Sequence, residues 1–319
     1  MYRNFKPLLM VILIIVSISF AFASEFEESK LVDIGGRQLY IHCTGPKDAT
    51  TPTVILEGGL GCSHALWTAV QRELGKSVTV CSYDRAGYGK SDHGPKPRTS
   101  TQIATELHTL LHKAGIKGPY ILAGQSSGGI HIRVFNALYP SEVAGLILVE
   151  SSHEDVVERM NNSISTWDWL KEKTRIFFSN NFKTLSHPIW RRENQSVPKP
   201  EAFTDEEWAL VQLGSRSKYE HFVTMLDELN SFESSCLELK QMDRNLENKP
   251  LTVITREKFD PGEEKFMKVW TVCQKELLNL SSNSKQMIAT KSGHMIPFEQ
   301  PEIIVEAVQN MLKQLKKGN

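Results

Sequence analysis

The stretch that most restricts this chain is a turn, Gly124-Gln125-Ser126-Ser127-Gly128. It follows a short apolar run, Tyr120-Ile121-Leu122-Ala123, itself opened by Gly118-Pro119. It precedes Gly129 to Phe135, which reads as a helix. A strand can pass straight into a helix through G-x-S-x-G because the end residues carry no Cβ to block the tight turn. Ser126 can then take a strained backbone conformation that lifts its hydroxyl out of the sheet. The same turn aims the Ser127 N–H, at the start of the new helix, towards any oxyanion that forms there.

The rest of the chain alternates in the same way. Lys30 to Cys43 reads as a hairpin around Gly35-Gly36. Thr53 to Leu56 is a short buried strand that ends in Glu57-Gly58-Gly59-Leu60-Gly61, and a helix is expected from Ala65 to Leu74. Val78 to Tyr83 is a strand that runs into Asp84-Arg85-Ala86-Gly87-Tyr88-Gly89-Lys90-Ser91. Thr101 to Ala114 carries Ile103, Leu107, Leu110 and Leu111 on one helical face. Val143 to Val149 is a buried strand that stops at Glu150. From residue 152 to 248 the chain turns polar and helix-like, holds four of the six tryptophans (Trp167, Trp169, Trp190, Trp208) and shows no buried strand. Alternation resumes with strands at Leu251–Thr255 and Gln286–Ala289 and helices at Glu263–Leu278 and Pro301–Leu315, the last begun by proline. This pattern predicts a mostly parallel sheet flanked by helices, built from residues 24–151 and 249–319. Residues 152–248 are then a helical insertion, too long for a loop.

Residues 1–23 stand apart from that fold. Arg3 and Lys6 precede an apolar run from Leu8 to Phe22, and Ala21-Phe22-Ala23 fits a small-x-small cleavage site before the polar Ser24-Glu25. A signal peptide cut after Ala23 is expected, giving a secreted or periplasmic protein with no lasting membrane anchor. Export permits disulfides. Of the five cysteines, Cys43 and Cys81 lie in strands that could be neighbours, and Cys236 and Cys273 flank the 251–255 strand. No C-x-x-C or histidine-rich spacing suggests a metal. The 37 basic residues balance 37 acidic ones, which speaks against a nucleic-acid partner. Asn161, Asn194 and Asn279 fit the N-x-[ST] pattern.

A serine hydroxyl needs a base, and the base needs an orienting group. His294, in Ser292-Gly293-His294 after the last strand, fits the base. Two residues compete for the acid: Glu150, at the end of its strand, and Asp260, after the 251–255 strand and before a proline. Gly59, with Leu60 as neighbour, offers a second N–H to join that of Ser127 in an oxyanion hole. Asp84 and Arg85 read as structural, a local ion pair that buttresses the loop.

From about Leu31 to Leu315 the chain resembles the α/β-hydrolase superfamily. The resemblance rests on Glu57-Gly58-Gly59-Leu60-Gly61, the Asp84 to Ser91 turn, Gly124 to Gly129 and Ser292-Gly293-His294. It implies an α/β-hydrolase fold in which the insertion is a cap over the active site. Many relatives have His-Gly where Glu57-Gly58 stands. Relatives usually place the acid in a Gly-x-x-Asp turn after the penultimate strand; here that glycine is missing and Asp260 comes about one residue late. A subset resembling haloalkane dehalogenases and some small esterases puts the acid where Glu150 stands, and Glu150 is preferred. The implied activity is a cofactor-free serine hydrolase acting on a small carboxylic ester, with amides, lactones and thioesters open on the same triad. The rival expectation is a silent fold that binds an apolar ligand under the cap.

Overall fold

The computed structural model describes residues 26–46, 50–163, 199–216, 219–259 and 261–318. Its strands are β1 (Phe26–Asp33), β2 (Gln38–Gly45), β3 (Thr53–Glu57), β4 (Val80–Tyr83), β5 (Tyr120–Gln125), β6 (Val143–Val149), β7 (Leu251–Arg256) and β8 (Ser284–Ala289). They form one sheet in the order β1-β2-β4-β3-β5-β6-β7-β8. β2 runs antiparallel to both β1 and β4, and every other pairing is parallel.

All residues of β3, β4, β5 and β7 are buried, as expected of strands covered on both faces. The helices described are α1 (Thr68–Gly75), α2 (Ser100–Ala114), α3 (Gly128–Leu138), α4 (Val156–Ser163), α5 (Asp205–Arg216), α6 (Tyr219–Asn230), α7 (Phe232–Gln241), α8 (Glu264–Glu276) and α9 (Pro301–Gly318), with a single turn at Ile296–Glu299. Side chains alternate along the strands and so divide the core in two. Ile55, Leu122, Leu148 and Val253 pack with Leu107 and Leu110 of α2 and with Ile130 and Phe135 of α3. Val54, Leu56, Ile121 and Ile147 pack on the other face with Val70 and Leu74 of α1 and with Ile304 and Val308 of α9.

Several boundaries differ from the sequence reading: β8 begins at Ser284, α9 runs on to Gly318, and three others have a local cause. The helix at 65–74 opens as a 3-10 turn, His64–Trp67, before α1. The following strand begins at Val80, not Val78, because the Val78 N–H still donates to Leu74 O at 3.0 Å and belongs to the turn that closes α1. α8 stops at Glu276 and tightens into a 3-10 turn, Leu277–Leu280. Between β6 and β7 the described residues form helices α4 to α7 and no strand. Trp167, Trp169, Trp190 and Asn194 lie outside the described residues, as do residues 1–23, where the sequence led us to expect a signal peptide. No helix among the described residues is long and apolar enough to cross a membrane.

Cys43 and Cys81 are direct partners in the β2–β4 register and form a disulfide. Closing a loop with a sequence separation of 38 contributes about 2–4 kcal/mol. The pairing of Cys236 with Cys273 does not form, and both remain buried thiols. Their helices have different neighbours: α7 packs on α2 and α3, α8 on α4 and β7.

Glu154, just beyond β6, ties α3 to the segment between α7 and β7. Its carboxylate accepts from Arg133 Nη1 and Nη2 of α3 at 2.6 and 2.9 Å and also pairs with Arg244. Burial alone would raise this carboxyl's pKa, but the Arg133 charge and hydrogen bonds outweigh it and hold the group well below the usual carboxylate range. A depressed folded-state pKa gives stability that is present above the unfolded value, about 4.3, and is lost as pH falls below it. Glu154→Gln is therefore expected to cost about 3–5 kcal/mol at neutral pH, measured by urea unfolding. The gap from wild type should narrow as the pH falls below about 4.3, because the unfolded chain's carboxyl then takes up a proton while the folded one keeps its charge. A gap unchanged at pH 3 would contradict this account.

Candidate active site

Ser126 occupies the turn between β5 and α3 with φ of 54°. Its neighbours hold it there. The Ser126 N–H donates to Val149 O at 3.1 Å, and its carbonyl accepts from Ser152 N–H at 2.9 Å and Gly129 N–H at 3.1 Å. A Cβ on Gly128 would lie 2.7 Å from the Glu57 and Gly58 carbonyl oxygens, so only glycine lets the elbow close against β3.

His294 lies between β8 and the Ile296–Glu299 turn. Its Nε2 is 3.1 Å from Ser126 Oγ, in position to accept the hydroxyl proton when the ring proton is on Nδ1. Glu299 shapes the preceding loop by accepting from Gly293 N–H at 2.6 Å and from the Ser292 hydroxyl at 3.1 Å. Gln125 Nε2 donates to the His294 carbonyl at 3.2 Å and ties the histidine loop to the elbow. The Trp270 ring meets the imidazole edge-on at 6.0 Å and continues into an apolar cluster with Val156, Val157, Met160 and Met267.

Glu150 follows β6 with φ of 46° and is fully buried. Its N–H donates to Ile254 O at 2.7 Å. Oε2 accepts from the Arg256 N–H at 2.9 Å. Oε1 lies 3.0 Å from Arg256 Nε and 3.8 Å from His294 Nδ1, with no well-aligned hydrogen bond. The Glu150–His294 separation is longer than a hydrogen bond, and such contacts are often loose before substrate binds. The structure thus brings Ser126, His294 and Glu150 together. Asp260 lies outside the described residues.

The two backbone donors flank Ser126. A Cβ on Gly59 would lie 3.1 Å from Ser126 Cβ and run into the Gln125 amide oxygen, so the Gly58–Gly59 backbone approaches the serine as only glycine allows. Neither the Gly59 N–H nor the Ser127 N–H donates to another group among the described residues.

Arg85 is what holds the Gly58–Gly59 segment. It is not paired with Asp84, as the sequence suggested. All five of its N–H donors are used: Nε on Glu228 Oε1 at 2.9 Å, Nη1 on Glu57 Oε1 at 2.6 Å and Gly58 O at 2.7 Å, Nη2 on Gly59 O at 2.7 Å and Glu228 Oε2 at 2.9 Å. Because Gly58 O points at Arg85, the N–H of the same trans peptide, that of Gly59, points the opposite way. Tyr83 donates to Glu57, and Tyr88 donates to Glu228 at 2.8 Å. Burial pushes both phenols well above their usual range, so they remain donors. Asp84 has its own work, accepting from His64 N–H at 2.8 Å and Lys90 N–H at 2.9 Å. From α6, His221 Nε2 donates to Gly61 O at 2.9 Å; burial pushes this imidazole down and keeps it neutral.

Sequence reasoning missed three of these groups. Gln125 sat unread inside the elbow motif. Glu57 was visible as the departure from His-Gly, but its partner was not. Glu228 carries no local signal at all. Together the site offers a hydroxyl, an imidazole and a carboxylate in line, with two N–H donors beside the hydroxyl.

A family model described as the alpha/beta hydrolase fold matches residues 52–254. An AB hydrolase superfamily protein of Gibberella zeae is 28% identical over 316 residues, covering 87% of this chain and 92% of its own length. Among solved structures, Cfl2 of Burkholderia cenocepacia superposes with a TM-score of 0.65 at 18% identity, covering 89% of this chain and 95% of its own. A thermophilic esterase of Thermogutta terrifontis superposes at 0.61 with 20% identity, covering 90% and 99%.

Proposed function

Since the chain belongs to the alpha/beta hydrolase fold family, we propose that it is a serine hydrolase that cleaves a carboxylic ester through an acyl-enzyme. The observation that carries this reading is the 3.1 Å approach of Ser126 Oγ to His294 Nε2, with the buried Glu150 behind the imidazole. Ser126 attacks the ester carbonyl as His294 takes its proton. The Gly59 and Ser127 N–H groups receive the oxyanion, each typically worth about 3–4 kcal/mol. His294 then protonates the leaving alcohol. Water, activated by the same imidazole, releases the acid. Glu150 holds the ring tautomer and compensates the imidazolium. The esterase among the structural relatives has an activity of the same class.

Residues 152–248 act as the cap in this reading, and the Trp270 cluster beside His294 supplies an apolar wall for the acyl group. Export after cleavage near Ala23 fits the Cys43–Cys81 disulfide. A fluorophosphonate probe tests the proposal: labelling is expected on Ser126 by peptide mapping, with hydrolysis of p-nitrophenyl esters. Absence of both would leave a ligand-binding fold.

Arg85 gives a separate test. A lysine keeps the charge but offers three donors from one point instead of a planar fork of five. Arg85→Lys is expected to free the Gly58–Gly59 carbonyls and lower kcat by about 10²-fold, the loss seen when one oxyanion donor goes. KM for a short ester should change little. A fall in KM-limited binding with kcat intact would argue against this role.

A further inference from the structure

Near the start of β6, at the opposite end of the strands from Ser126, three metal-ligating side chains converge outside the hydrolytic centre. α2 carries His108 and His112, four residues apart and therefore on one helical face. The 3-10 turn Pro140–Glu142, between α3 and β6, sets Glu142 against both. His108 Nε2 is 3.0 Å from Glu142 Oε1, and His112 Nε2 is 3.3 Å from Glu142 Oε2. The ligand atoms of all three lie within 4.8 Å of one another.

We propose that His108, His112 and Glu142 form a Zn²⁺ site that pins α2 to the turn leading into β6. Zinc takes imidazole nitrogen and carboxylate oxygen at about 2.0–2.2 Å in tetrahedral geometry, which sets its ligand atoms roughly 3.3–3.5 Å apart. The two histidine–glutamate separations are already close to that spacing. Two histidines and one carboxylate fill three positions, and water takes the fourth. The first histidine is held ready: its ring stacks on Tyr139 at 3.7 Å and 9°, and Tyr139 packs edge-on against Phe135 at 5.1 Å. Among the described residues no lysine or arginine pairs with Glu142. That separates this cluster from the other histidine–carboxylate group, His153, Asp155 and Glu276, whose acids are already taken by Arg159 and Lys240. The sequence reading found no metal spacing because the carboxylate comes from a different element, 30 residues after His112.

The test uses the whole untagged protein, stripped with a chelator and titrated with zinc chloride by calorimetry. One saturable site is expected, together with a rise in melting temperature. His112 is more than half exposed, so His112→Ala leaves the packing intact. Losing an outer partner of a metal ligand already costs about 10–100-fold in affinity, so losing the ligand itself should weaken binding at least tenfold. Glu142→Gln should do the same, while His93→Ala, at an exposed position away from the cluster, should not. Ester hydrolysis should be unchanged in His112→Ala, which keeps this test independent of the proposed activity. No binding by the wild type, equal affinity in His112→Ala and Glu142→Gln, or loss of binding through Glu276→Gln instead would each overturn the proposal.

Discussion

Ser126→Ala is expected to lower the turnover of a p-nitrophenyl ester by about 10⁶-fold, the scale on which a serine hydrolase loses kcat with its nucleophile. The rest should survive the change. Ser126 is half-buried at the tip of its turn, and its backbone is clamped through Val149, Ser152 and Gly129, none of which needs the hydroxyl. The strained φ of 54° is less comfortable for alanine than for glycine, but the serine already bears that strain. Thermal unfolding should therefore move little, and fluorophosphonate labelling should vanish. The elbow and the Gly59 and Ser127 donors remain, so a residual rate above that of buffer is expected. Turnover comparable to wild type would end the reading of Ser126 as nucleophile.

What the sequence made visible was local. β5, the elbow and α3 are written within residues 120–138, where an apolar run, two glycines and a helical pattern follow one another. The β1–β2 hairpin was equally plain around Gly35-Gly36. The Cys43–Cys81 bridge was one of two pairings the sequence left open, suggested by strands that could be neighbours. Arg85 shows where that kind of reading stops. Its position in a glycine-spaced turn marked it as structural, but its partners come from β3 and from Glu228, 143 residues away on α6. No periodicity encodes that meeting; it exists only once α6 lies beside Arg85. Glu57 makes the same point. Alone it was a departure from the usual His-Gly; in the fold it is a fully buried acid whose charge is answered by Arg85 and by the Tyr83 hydroxyl. The His108–Glu142 pairing, too, needs α2 and the turn before β6 side by side.

Glu150→Gln should cost about 10⁴-fold in kcat, the loss that follows when a triad carboxylate becomes an amide. The amide is the same size and can still face His294, but it no longer fixes the ring proton on Nδ1 or compensates the imidazolium that forms as Ser126 attacks. Arg256 complicates the position. It shares Glu150 Oε1 at 3.0 Å and reaches Glu263 at 3.2 Å, so the variant leaves this guanidinium with one carboxylate instead of two. Loss of stability is thus a rival cause of lost activity, and the two part company in the assay. An acid acting on His294 lowers kcat at a temperature where the variant is fully folded by circular dichroism, and leaves KM near wild type. A merely structural Glu150 would return most of its activity once the protein is kept well below its melting point. Asp260→Asn supplies the other arm. If Glu150 holds the imidazole, that variant should keep most of the wild-type rate, losing at most about tenfold through disturbance of its loop. An inactive Asp260→Asn beside an active Glu150→Gln would transfer the role to Asp260. The 3.8 Å gap between Glu150 Oε1 and His294 Nδ1 is short enough for the imidazolium to close by a small rotation, and the 0% exposure of Glu150 leaves water little means to compete for that oxygen.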